Sequence, residues 1–181
     1  MVSCVWTSLK GGRRGWHRRI PADAAADDDS ILLVRCDDAR RQLRLQCCVP
    51  AGGQNRALFS RQLNHDELMS FCNDTVGLEL EGSPEVVVTR LAACFADALR
   101  NSSLVASSGS GSGSSDVSAP SALLTMELSC EGLNASGDMS LDPVANLPAA
   151  LFNDLLAQFE PPDDEETTGS PAVAKKRRFA N

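Results

Sequence analysis

The sequence predicts an α+β domain: an antiparallel β-sandwich or barrel head with an inserted helix-turn-helix, followed by a short C-terminal helix and a disordered tail. Three observations carry this. Short alternating apolar–polar segments separated by turn residues fill much of the first third of the chain. Between Asn64 and Asn101 the apolar period changes from two to three and four. After a Ser/Gly tract at 107–118 the alternation returns at Ala122. With 43% apolar residues the 181-residue chain can build one sizeable core.

The elements follow in order. Ser3–Leu9 alternates weakly and is expected as a first strand, and Lys10–Asp29 reads as a loop. Ile31–Cys36 and Arg41–Val49 make a hairpin around Asp37-Asp38, with Leu43, Leu45 and Cys47 on one face and Arg44 and Gln46 on the other. Pro50-Ala51-Gly52-Gly53 turns the chain into a further strand at Ala57–Leu63, which completes an antiparallel meander. Asn64 with Glu67 has capping-box spacing and opens a short helix through Leu68, Met69 and Cys72. Ser83-Pro84-Glu85 opens a second helix, whose stripe Val87, Leu91, Cys94, Phe95 and Leu99 runs to near Asn101. Ala122–Cys130 is a strand, Glu131–Gly137 a turn-rich link and Asp138–Leu141 a short partner. Pro148 opens a last helix of about twelve residues, which Pro161-Pro162 stops. The expected organisation is therefore a head over 1–147, a short helix and dimerisation stalk over 148–160, and a disordered tail over 161–181.

Charge and cysteines narrow the function classes. The net charge is −7, but residues 1–21 carry five basic and no acidic residues, and 22–160 carry eight basic against twenty acidic. An acidic body argues against broad nucleic-acid binding by the folded part, leaving the basic ends for any contact with DNA. No run of eighteen apolar residues exists for a membrane span, and the first twenty residues lack an apolar signal core. The seven cysteines contain no C-x-x-C pair and read as reduced, buried thiols. Zinc is not expected, because His17 and His65 sit at no ligand spacing from them. Adjacent Cys47-Cys48 point to opposite faces of a strand. Three Asn-x-Ser/Thr matches, at Asn73, Asn101 and Asn134, read as chance without a secretory signal. Gly11-Gly12-Arg13-Arg14-Gly15 lacks the Lys-Ser/Thr of a phosphate loop, and His65 lies in the first turn of a helix beside Asp66 and Glu67. No catalytic triad, carboxylate pair or cofactor loop emerges, so the expectation is a protein that is not an enzyme and carries no cofactor or metal.

Two features point to partners. The final helix carries Leu151, Leu155 and Phe159 on one stripe, with Phe152 and Leu156 beside it. The stripe suits either a short dimer seam or closure of the chain's own core. The tail ends Ala174-Lys175-Lys176-Arg177-Arg178-Phe179-Ala180-Asn181. A basic block beside one aromatic is built for docking on an acidic groove, with Phe179 as anchor and the four cations as guides. Lys175, Lys176, Arg177 and Arg178 also read as a nuclear localisation signal, and the two readings are compatible.

The order of elements resembles the XLF/PAXX family of non-homologous end-joining scaffolds. In that family four strands precede a helix-turn-helix, a hairpin follows, and a C-terminal helix leaves the head. Ala57–Asn73, Ser83–Asn101 and Leu123–Asp142 look like the corresponding family segments, and Pro148–Phe159 stands where the family's dimerising helix begins. The tail looks like the family's Ku-binding motif, in which a basic cluster precedes a Phe near the chain end. The small, short-stalked PAXX branch is the nearer relative, because longer-stalked members rely on an extended coiled coil where this chain has Pro161-Pro162. The resemblance implies a nuclear, non-catalytic accessory factor in double-strand break repair. It would dock on the Ku heterodimer through Lys175, Lys176, Arg177, Arg178 and Phe179, join other end-joining factors, form a homodimer through Leu151, Leu155 and Phe159, and touch DNA weakly or indirectly. Two other classes stay open at this point. One is a cell-cycle regulator whose Lys-Lys-Arg-Arg-Phe tail docks on a cyclin, although that motif wants a Leu two residues after its Arg. The other is a centriolar structural protein with a related head, which expects a long coiled coil.

Overall fold

The computed structural model describes residues 6, 9, 15–21, 29–76, 82–107, 121–130 and 132–160. Strands β1 (Gly15–Ile20), β2 (Ser30–Asp37), β3 (Gln42–Pro50) and β4 (Arg56–Asn64) form an antiparallel meander. Its register follows the alternation. Leu32 lies opposite Cys47, Val34 opposite Leu45, and Leu43 opposite Leu63, so all six side chains share one face and are buried. The opposite face of the same strands carries Ile31, Leu33, Cys48 and Leu58, which are buried too. Both faces of this half of the sheet therefore need cover. The turns are built from local chemistry. Asp37 Oδ1 accepts from the Arg40 N–H at 3.1 Å, and Gly52 and Gly53 adopt φ values of 93° and 61° between β3 and β4.

Helix α1 (His65–Val76) begins at the capping box: Glu67 N–H donates to Asn64 Oδ1 at 2.9 Å, and Asn64 N–H donates to Glu67 Oε2 at 2.8 Å. Helix α2 (Pro84–Arg100) follows, with Pro84 in its first turn and the Asn101 N–H closing its last. The chain then forms β5 (Ser103–Ser107), β6 (Ser121–Cys130), β7 (Leu133–Leu147) and helix α3 (Ala149–Leu156). All seven strands belong to one antiparallel sheet of order β1-β2-β3-β4-β7-β6-β5, curled into a half-barrel. The curl brings α1 against β4 and β7, and α2 against β6. Leu68 and Cys72 of α1, and Leu91, Phe95 and Leu99 of α2, fill the inner face with Leu124, Met126 and Leu128 of β6. Phe71 meets Phe95 edge-on at 6.0 Å. Each fully buried side chain of this kind contributes about 1.5–3 kcal/mol of transfer free energy. Close approach of α1 to β7 requires Gly137, where a Cβ would stand 2.4 Å from Thr75 Cγ2.

The open sides of the half-barrel are β1 and β5, and Arg18 spans them. Its guanidinium donates to the main-chain carbonyls of Arg100 and Ser102, and to Ser102 Oγ at 3.2 Å. Those carbonyls lie where α2 ends and the chain enters β5, so a cation there also suits the negative end of the helix dipole. Burial lowers the Arg18 pKa from its ordinary value.

The structure corrects the expected element list at four places before the last helix. The two described residues of 3–9, Trp6 and Leu9, are helical and buried in the inner core; they are not strand. The first strand lies at Gly15–Ile20, inside the expected loop, because Trp16, Arg18 and Ile20 alternate inward while the basic residues between them obscure the pattern. The partner of β6 is fifteen residues long, since β7 serves β6 with its first half and β4 with its second. Strand β5 was not expected, because Leu104 alone marks its inward face. The Ser/Gly tract lies outside the described residues, apart from the backbone of its first residue, and the tail from 161 lies wholly outside them.

Candidate interaction surface

The face of β2, β3 and β4 turned away from the main core is covered by α3 and the four residues after it. Helix α3 runs Ala149–Leu156, shorter than expected, and Phe152 N–H donates to Pro148 O at 3.0 Å in its first turn. Phe152 and Phe159 close a second core with Ile31, Leu33, Cys48 and Leu58. Two arginines grip its ends. Arg56 Cζ lies 4.7 Å above the Phe152 ring and its Nη1 donates to Asp29 O at 2.8 Å. Arg35 Cζ lies 4.7 Å above the Phe159 ring and its Nη2 donates to Gln158 Oε1 at 3.3 Å. Each stacked cation contributes about 0.5–2 kcal/mol, more as water is excluded.

Backbone pairing then fixes the end of this segment. Glu160 N–H donates to Gly15 O at 2.9 Å, and His17 N–H donates to Glu160 O at 3.0 Å, a parallel bridge on the edge of β1. Gly15 makes room for it, since a Cβ there would meet Phe159 Cδ1 at 3.1 Å. The next residues in the sequence, Pro161 and Pro162, carry no N–H with which to extend the bridge. Burial lowers the His17 pKa, and Arg19 adds to the effect.

This arrangement splits the apolar stripe of the last helix. Leu151 is 55% exposed, Leu155 is partly buried against the second core, and Phe159 is buried at 7% exposure. Phe159 lies beyond the helix, whose hydrogen bonding ends in a turn that draws Phe159 N–H to Leu156 O at 3.0 Å. The three residues therefore do not form one outward seam in this chain. Phe152 and Leu156 pack back on the sheet as a core-closing stripe requires. Lys175, Lys176, Arg177, Arg178 and Phe179 lie outside the described residues.

On the same outer face, beyond Phe159, Arg35, Arg40 and Arg44 gather around a recess that also takes in Asp37, Gln42 and Gln62. Alternation places Arg44 outward, whereas Arg35 stands among the apolar residues of Ile31–Cys36. The available signal was the strand period, which puts Arg35 on the face of Ile31 and Leu33.

Four of the thiols are held protonated by their surroundings. Burial pushes Cys47 up to about 12, with Cys48 adding and Arg18 opposing, and burial likewise raises Cys48 to about 11 and Cys72 to about 12. Burial, followed by a hydrogen bond with the Cys130 thiol, raises Cys94 to about 11. No group of three His, Cys, Asp or Glu side chains among the described residues could hold a metal ion, and no described helix is long and apolar enough to cross a membrane. The chain matches no protein-family model and no curated protein.

Proposed function

We propose that this chain is a nuclear, non-catalytic scaffold of the XLF/PAXX type, acting in double-strand break repair by non-homologous end joining and docking on Ku through its C-terminal tail. The observation that carries the reading is a conjunction along one chain. A four-stranded meander leads into two consecutive helices, three strands and a short helix, and the sequence beyond them carries Lys175-Lys176-Arg177-Arg178-Phe179. A folded body with a net negative charge has no need of such a block for solubility, whereas a guided aromatic anchor does. Glu160 is fixed to the edge of β1, and the basic block follows it in the sequence. Other end-joining factors would be recruited by the body while Ku holds the tail. A homodimer would add avidity between two Ku-bound ends, and Leu151 is the exposed member of the final stripe that such a contact would use.

The test is binding of the full-length protein to DNA-loaded Ku, compared with a Phe179→Ala variant. Micromolar or tighter binding that weakens at least tenfold without the aromatic supports the assignment, as expected of a hot-spot anchor. Equal binding by both proteins would reduce the tail to a charge effect. Absence of binding would leave the basic block as an import signal alone and overturn the Ku assignment.

A further inference from the structure

Like charges directly opposite across a sheet repel, and an opposite-charge pair is the stabilising choice there. Arg35 of β2 and Arg44 of β3 are such an opposed pair. The chain holds 24 acidic residues against 17 basic ones, yet among the described residues no carboxylate makes an ion pair with either guanidinium. Neutral groups orient them instead. Arg44 Nη2 donates to Gln62 Oε1 at 3.1 Å, while Gln158 and the Phe159 ring hold Arg35. A guanidinium has five N–H donors, so each keeps several free of these contacts. The recess they border with Arg40, Gln42 and Gln62 measures about 190 Å³. Asp37 is its one carboxylate. It is bound to the turn, with Oδ1 accepting from Arg40 N–H at 3.1 Å and Oδ2 lying 3.8 Å from Arg40 Nε. Three arginines against one aspartate leave the lining of this recess positive within the acidic stretch 22–160.

We infer that the recess bordered by Arg35, Arg40 and Arg44 is a phosphate site that takes the sugar–phosphate backbone of duplex DNA. Planar guanidinium forks held by amides match phosphate oxygens. Asp37, Arg40 and Gln42 belong to the exposed β2–β3 turn and its flanks, so the recess lies where the sheet meets solvent, within reach of a phosphate backbone. Sheet and turn residues supply all of the recess, with nothing shaped to enter a groove, so the contact reads no sequence. The choice of DNA rests on the end-joining reading; the phosphate chemistry does not.

The test uses the full chain and a fluorescent 20-base-pair duplex, titrated at several salt concentrations. Wild type is compared with Arg40→Gln/Arg44→Gln, with Gln62→Glu, and with a tail variant in which residues 175–178 are all Gln. Gln62→Glu keeps every arginine and sets a carboxylate against Arg44, so it is expected to hold or raise thermal stability while weakening DNA binding. The double variant is expected to weaken binding at least fivefold and to lower the salt slope by roughly one to two. The tail variant is expected to retain that dependence on the recess. Inorganic phosphate at millimolar concentration, added as competitor, distinguishes a site for the free ion from one that prefers the polymer. DNA affinity unchanged by both recess variants, absence of DNA binding by wild type, or tighter binding of phosphate than of duplex would overturn the inference. Ku binding measured on the same proteins separates the two ideas. Ku binding with no recess effect sinks the DNA site alone, and a recess effect without Ku binding sinks the end-joining reading alone.

Discussion

Phe159 shows how one side chain can decide what a terminal segment does. It is buried against Ile31 and Leu33, stacked under Arg35 and admitted by the missing Cβ of Gly15. Leu151, eight residues earlier, belongs to the same apolar pattern and stands 55% exposed. The two should therefore respond differently to truncation. Phe159→Ala is expected to lower the unfolding free energy by about 3 kcal/mol through lost transfer energy and the cavity left behind. Leu151→Ala is expected to change it by less than about 0.5 kcal/mol in a monomer. Urea titrations of both variants decide this. A Leu151→Ala loss that grows with protein concentration would instead place that residue in a contact between copies.

At the scale of elements, the best-specified junction is the entry into α1. Asn64 ends β4 and caps the helix, and the reciprocal bonds with Glu67 satisfy two backbone N–H groups that would otherwise lack partners. Asn64→Ala is expected to lower stability by about 1 kcal/mol in thermal or urea unfolding. Glu67→Ala on that background should add less than it does alone, because both act through one bonded unit. This junction was fully legible in the sequence, as were α2 from Ser83 to Asn101 and the β2–β3 and β3–β4 hairpins, since each is encoded by neighbours a few residues apart. What the sequence hid is encoded by distant partners. The strand at Gly15–Ile20 looks like a basic loop until Arg18 is seen reaching Arg100 and Ser102 across the open half-barrel. The length of β7 depends on β4 accepting its second half after a register shift at Leu58/Phe59. The recess was half legible: alternation turned Arg44 outward, but only the return of the chain to Phe159 shows that Arg35 is pinned beside it.

For the whole molecule, the unusual property is a core in which thiols take places that aromatics often fill. Cys47, Cys48 and Cys72 are fully buried, Cys47 and Cys48 on opposite faces of one strand. They ionise at about 12, about 11 and about 12 in the folded chain, against an ordinary thiol value of 9.0. Above about pH 8 the unfolded chain therefore releases protons that the folded chain retains. With fewer protons bound in the unfolded state, stability falls as pH rises from about 8 to about 11. Below about pH 8 the thiols are protonated in both states and contribute almost no slope. One pH unit above 9, each of these three buried thiols is expected to remove on the order of 1 kcal/mol. The sequence has no tyrosine to titrate in this window, and Cys94 shifts in the same direction as the other three thiols. Urea unfolding at pH 8, 9 and 10 under a phosphine reductant should show stability lower by about 1 kcal/mol at the second than at the first, and by about a further 3 kcal/mol at the third. Cys48→Ala should flatten the fall by the share of one thiol, whatever its own effect at pH 8. Equal stability at pH 8 and pH 10 would mean that the thiols are solvated in solution, and that the core closed by α3 opens far more readily than its packing implies.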